Sequence, residues 1–247
     1  MAKTRTKALS KSQMNKIKAE ITKALIDVTL PSPLGSVSSL TSSLTPVGAY
    51  DHSMKGKIYE ASVLAELCRV LHKIDKYELR LVNGKSLVLN QKGQRIQPND
   101  PHIEVYDLDG VQIGQIWMNV EFLAHSHHYR SGLSSISVKN SDYHELDIII
   151  IKPHSKAGSF YPSHEEVLLG IECKCTKVTK DIIRSLLGLR RELSIWQPDC
   201  AHNTMFSRWS VKNSIPDSVL LLYSSTSAAN YDTLDTVYDI HLENHTF

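Results

Sequence analysis

Two acids and a lysine stand at the ends of two apolar runs. His144-Glu-Leu-Asp147 leads into Ile148–Ile151, and Val167-Leu-Leu-Gly-Ile-Glu172-Cys-Lys174-Cys175 follows after a polar connection. Each run reads as a β-strand. Alternate side chains of a strand share a face, so Glu172 and Lys174 emerge together while Ile171, Cys173 and Cys175 point the other way. Carboxylates and a lysine on adjacent strand ends can hold a divalent cation beside a phosphoryl group. Such a cation polarises phosphoryl oxygens and lowers the pKa of bound water. Mg²⁺ takes oxygen ligands and keeps several waters, so a few carboxylates suffice. Asp147 and Glu172 are suitable ligands, and the backbone carbonyl of Cys173 adds an oxygen. Lys174 could orient the attacking water or offset phosphate charge. Glu60, on an earlier helix, could bind the metal directly or through water, with Glu66 as its rival on that helix. The alternative is that Asp147, Glu172 and Lys174 are strand-end charges in a salt bridge, although charges within an apolar strand need partners.

The elements that must position these residues are legible in the periodicity. A helix begins near Met54, with Ile58, Ala61, Val63, Leu64, Leu67, Val70 and Leu71 forming a broad apolar face suited to packing on a sheet. Glu60 lies in its first turns. Tyr77–Val82, Ser86–Asn90, His102–Asp107 and Val111–Leu123 read as strands, with Asn83-Gly84 and Asp109-Gly110 as hairpin turns. The 77–142 region reads as a β-rich insertion, ending in a polar, mobile loop from His125 to Asp142. Glu145–Lys152 and Glu166–Thr176 are central strands covered on both faces. Thr179 caps a helix to about Trp196, with Asp181 in its first turn. Ser218–Ser224 is a buried strand, Asn230–Asp235 a helical turn and Val237–Leu242 a last strand. The order predicts an α/β sandwich whose central mixed sheet is flanked by helices.

Glu60, Asp147 and Glu172-x-Lys174, followed by a helix, resemble the PD-(D/E)XK, or restriction-endonuclease-like, nuclease superfamily. Lys55-Gly-Lys-Ile-Tyr-Glu60 is similar to the first helix of Holliday-junction resolvases and related members, where a Glu completes the metal site. Leu146 stands where the motif's proline would precede Asp147. The resemblance covers about residues 54–76 and 144–224. It implies a three-layer sandwich and Mg²⁺-dependent cleavage of DNA, with Mn²⁺ as a substitute. It implies metal ligands at Asp147 and Glu172, completed by Glu60; with the reading of the residues above, catalysis is expected of Asp147, Glu172, Lys174 and Glu60, and metal binding of Asp147, Glu172, Cys173 and Glu60. A bacterial restriction or antiphage-defence effector is one expectation. A non-catalytic nucleic-acid-binding or regulatory module on the same fold is the other.

The domain expected from this reading is 54–247, preceded by a basic helix and a Ser/Thr/Pro-rich linker over 1–53. Ser10 would cap the helix, which runs to about Val28. Lys3, Arg5, Lys7, Lys11, Lys16, Lys18 and Lys23 face one acid, Glu20, in that arm; it either touches phosphates or is simply solvated. The net charge of +2 over 247 residues demands no nucleic-acid partner by itself. Arg184, Arg190 and Arg191, after the motif, either contact DNA phosphate or pair with Asp181 and Glu192. A DNA partner and a homo-oligomer, a dimer, are expected. Cys68, Cys173, Cys175 and Cys200 make no disulfide framework for this length. No 18-residue apolar run exists, so no membrane span is expected, and a cytoplasmic location follows. His125, His127, His128 and His144 lack regular ligand spacing and read as a solvated loop more than a transition-metal site. Trp117, Trp196 and Trp209 read as core residues.

Overall fold

Four consecutive isoleucines, Ile148–Ile151, are each at most 1% exposed. Only a strand with a core on either side buries neighbours in succession. In the computed structural model they belong to β4 (Tyr143–Ile151). Residue 12 and residues 52–84, 87, 93–131, 138–155, 158–198 and 204–246 are described. The expected N-terminal helix and linker, apart from Ser12, His52 and Ser53, lie outside them. So do Cys200 and the strand at Ser86–Asn90, apart from Leu87.

Seven strands form the main sheet. They are β1 (Glu78–Val82), β2 (His102–Tyr106), β3 (Gln112–Leu123), β4, β5 (Val167–Lys174), β8 (Val219–Ser224) and β9 (Ile240–Asn244), in that spatial order. The pairs from β1 to β5 are antiparallel, while β5–β8 and β8–β9 are parallel. Helix α1 (His52–Lys73) places Tyr59, Val63, Leu67 and Leu71 against Ile148, Ile150, Leu169 and Ile171 on one face. Helix α3 (Lys180–Leu193) places Ile183, Leu186 and Leu193 against Ile149, Ile151, Leu220 and Leu222 on the other. The architecture is therefore mixed α/β, with a helix on each face of the sheet.

The described residues of the 77–142 region build no sheet of their own. Its strands β1 to β3 extend the central sheet beyond β4. The β2–β3 hairpin turns where expected. The Asp107 carboxylate accepts hydrogen bonds from the N–H groups of Asp109 (3.0 Å) and Val111 (2.9 Å), and Gly110 has φ +77°. A Cβ at Gly110 would meet no atom within 4 Å, so only the backbone resists substitution. Gly110→Ala is expected to destabilise the protein by about 1 kcal/mol, read as a lower urea midpoint. Asn83, at the other expected turn, has φ +59°, and the strand expected after that turn lies outside the described residues apart from Leu87.

The expected mobile loop over 125–142 contains order among its described residues. Helix α2 spans His125–Ser131, and a 3₁₀ turn spans Asn140–Asp142. Buried Asp142 accepts from the Lys139 N–H (2.6 Å) and the Arg130 guanidinium, with His127 Nδ1 at 3.5 Å. A polar sequence is held because its one buried carboxylate has cationic and amide partners.

Helix α3 stops at Leu193, short of Trp196. Ser194 is extended, and β6 (Ile195–Trp196) pairs with β7 (Ser214–Ile215) in a small ribbon. Helix α4 (Thr233–Tyr238) runs further than the expected turn. It ends at Asp239 with φ +51°, which delays the last strand to Ile240.

Candidate active site

Asp147 sits where the sheet bends. Ile116 and Met118 of β3 belong to the α1-side core, but Val120 and Phe122 belong to the α3-side core. An unbroken strand would put all four on one face. Asn119, at φ +52°, is where the alternation reverses. Its neighbours pair Met118 with Ile148 and Val120 with Leu146, so Asn119 stands opposite Asp147. Leu146 and Ile148 are split between the two cores in the same way. On the other side, β4 and β5 pair as far as Ile148 and Ile171. Asp147 and Glu172 come next in register, where the strands part. The Asp147 carboxylate accepts the Cys173 N–H at 2.7 Å, which occupies the edge group that a continued ladder would have used.

Three elements deliver carboxylates to this point. Glu60 comes from α1 and is 7% exposed; its Oε2 accepts from Lys57 Nζ at 2.8 Å and from Asn119 Nδ2 at 3.2 Å. Glu172 comes from β5, and Lys174 Nζ lies 2.6 Å from its Oε2. This contact places Glu172 and Lys174 together, as strand alternation requires. Cys173 is buried with Ile171 in the opposite core.

Glu60 and Glu172 hold their protons more tightly than usual. Glu60 is raised by burial and then by Asp147, against Lys57 and Asn119. Glu172 is raised to about 7 by burial and then by Asp147, against Lys174, with Glu145 adding repulsion. Burial would lower the Lys174 ammonium, but Glu172 and Asp147 outweigh it and raise it, so it stays charged at neutral pH. When all three acids are ionised they outnumber the two lysines, and the partly buried site then carries an excess of negative charge. Such an excess calls for a cation.

The donors suit a hard cation: carboxylate oxygens, and a buried Asn119 Oδ1 without a hydrogen-bond partner. They are not gathered into a cage. Among the described residues no group of three His, Cys, Asp or Glu side chains converges to hold a metal ion. Lys174 and Lys57 instead occupy Glu172 and Glu60. Glu66, the rival to Glu60, is bound bidentately by Arg69 at 2.7 and 2.5 Å, which leaves Glu60 as the acid facing Asp147.

Sequence reasoning overlooked Asn119 and Lys57. The signal for Asn119 was there: one amide inside the apolar run Ile116–Leu123, where a polar group must be satisfied.

The expected arginine contacts separate in the structure. Arg190 is 5% exposed and cannot reach a nucleic-acid backbone, which corrects that expectation. Its guanidinium donates to the Ser218 carbonyl (2.7 Å), Ser218 Oγ (2.7 Å) and Ser194 Oγ (2.5 Å). Arg184 is exposed and pairs with Asp181 at 2.9 Å, and Arg191 is exposed. The histidines are not a solvated loop either. His127 is buried, and His125 Nδ1 lies 3.2 Å from Nε2 of buried His164, which burial keeps neutral to about pH 4. Trp117 and Trp209 are core residues, whereas Trp196 is 56% exposed. Among the described residues no helix is long and apolar enough to cross a membrane.

No family model matches the chain, and comparison with curated proteins and with solved structures gives no match.

Proposed function

We propose that the chain is a Mg²⁺-dependent endonuclease that hydrolyses phosphodiester bonds in DNA, with a restriction-endonuclease-like sandwich of the PD-(D/E)XK kind. One observation carries the reading. Glu60, Asp147 and Glu172 come from a helix and two parting strands, and Asp147 raises the proton affinity of both other acids. Glu60, Asp147 and Glu172, with the Cys173 carbonyl, would hold the ion, and Mn²⁺ would substitute. Bound Mg²⁺ supplies polarisation of the phosphoryl oxygens and a more acidic water.

The chain's own residues do the rest. Lys174 stays protonated and donates to a phosphoryl oxygen or to the attacking water, in exchange for its present contact with Glu172. Asn119 orients Glu60 through its amide N–H. The parting of β4 and β5 beyond Ile148 and Ile171 is where a phosphate would approach Asp147. In the proposed reading Arg184 and Arg191 lie on a helix that starts beside this opening and meet the DNA backbone. A homodimer belongs to the same proposal and is checked by light scattering.

A second reading, a non-catalytic nucleic-acid-binding module, draws on the two lysines already paired with Glu172 and Glu60. One experiment separates the two. Supercoiled plasmid DNA and a matching RNA are incubated with the chain in Mg²⁺, in Mn²⁺ and in EDTA. Metal-dependent nicking supports the nuclease. A gel shift with no cleavage in either metal removes it in favour of the binding module.

A further inference from the structure

We infer that the cavity at the C-terminal end of α3 binds a nucleotide, its base against Trp196 and Tyr238 and its phosphate at Arg191 on the rim, with buried Arg190 behind it. The cavity measures about 630 Å³ and is also lined by Leu187 and Ile195. That size lies within the range of small-ligand sites. The inference does not rest on the nuclease reading, because the carboxylates precede the N-terminus of α3. The helix has 14 residues, which is about 20 Å of length.

Two independent features give the ligand its chemistry. The first is a buried cation. All four acceptors of the Arg190 guanidinium are neutral: the Ser218 and Asp239 carbonyls and the Ser194 and Ser218 hydroxyls. Its Nε–H is buried without a partner, and burial lowers its pKa to about 10, with Asp239 opposing. Among the described residues no carboxylate pairs with Arg190, and none lines the cavity. Asp239 offsets this buried charge only from beyond ion-pair distance, and an anion on this wall would add to that offset. Exposed Arg191, next in sequence, adds a second positive charge at the rim.

The second feature is an aromatic wall. Trp196 and Tyr238 are 56% and 42% exposed, although the described tryptophans elsewhere are 6% and 2% exposed. The indole is not loose, since its N–H donates to the Val237 carbonyl at 3.1 Å. A fixed, exposed indole face offers a stacking surface for any base. A flat aromatic group bearing phosphate satisfies both features. A purely apolar ligand would leave Arg190 unanswered, and inorganic phosphate would leave the aromatic wall bare.

The nucleotide can be free or can be the end of a strand, and the test separates these sources. The full chain in EDTA is titrated by calorimetry with dAMP, deoxyadenosine, inorganic phosphate and a 5′-phosphorylated oligo(dA) hexamer. We expect dAMP to bind about tenfold or more tighter than deoxyadenosine or phosphate alone. Trp196→Ala and Arg191→Ala, both at exposed positions, should each weaken dAMP about tenfold, with melting curves confirming the fold. Asp147→Asn should leave dAMP binding unchanged. Displacement of dAMP by the hexamer identifies a strand end; dAMP binding without displacement identifies a free nucleotide. The inference is overturned if neither dAMP nor the hexamer saturates the chain at millimolar concentration. It is equally overturned if Trp196→Ala leaves binding intact.

Discussion

Asp147→Asn is expected to abolish metal-dependent cutting of plasmid DNA, lowering the rate by roughly a thousandfold or more, while the protein remains folded. Asparagine keeps an oxygen to accept the Cys173 N–H at 2.7 Å, so the parting of β4 and β5 is preserved. What is lost is one negative charge at the centre of the acidic site. The substitution has a second consequence that a damaged fold would not produce. Asp147 is the largest charge contribution to the raised proton affinity of both Glu172 and Glu60. Both acids should therefore ionise at lower pH in Asp147→Asn, visible in the side-chain carboxyl resonances. Glu172→Ala and Lys174→Ala should also lose cutting. If all three variants cut at the parent rate, the active site is not here.

Metal affinity should climb with pH and level off above neutrality. In the folded chain Glu172 keeps its proton up to about pH 7, whereas its ordinary value is 4.5. Burial is the first cause and Asp147 the second, with Lys174 opposing. The folded state thus binds more protons than the unfolded state between those two values. Stability without metal therefore falls as pH rises from 4.5 to 7 and is flat with respect to this group beyond. A cation needs the ionised carboxylate, so its binding moves the opposite way. Mn²⁺ affinity measured by calorimetry should rise by up to about tenfold per pH unit below 7 and change little from 7.5 to 8.5. Cutting should follow the same curve. Equal affinity at pH 5.5 and 7.5 would rule out Glu172 as a ligand. The stability trend is checked by urea midpoints in EDTA over the same range.

Wherever one short segment held the signal, the sequence was readable. The unbroken Ile148–Ile151 run announced a doubly covered strand, and Thr179 announced the start of α3, where its hydroxyl accepts the Ile182 N–H. The Glu172–Lys174 partnership followed from strand alternation and is met by a 2.6 Å contact. Other features were hidden because they depend on residues far apart. Arg190 and Arg191 are neighbours of one type, yet one is buried and the other exposed. Only the approach of Ser218 and Asp239 decides which of them turns inward. Asp142 and Arg130 join the described ends of a stretch whose polarity alone suggested mobility. Trp196 has the composition of a core residue but lies on a ribbon outside both cores.

The alternation of β5 and the order of acids along the chain are local properties, and they specified which residues could act: Glu60, Asp147, Glu172 and Lys174. Their meeting is not local. It arises from the docking of α1, the bend at Asn119 and the end of β4–β5 pairing at Ile148. Each of these sets a distance, and charge interactions depend on distance and burial. Sequence spacing carries neither quantity, which is why proton affinities, lysine partners and the coupling of Glu60 to Asp147 emerge only when the chain is folded.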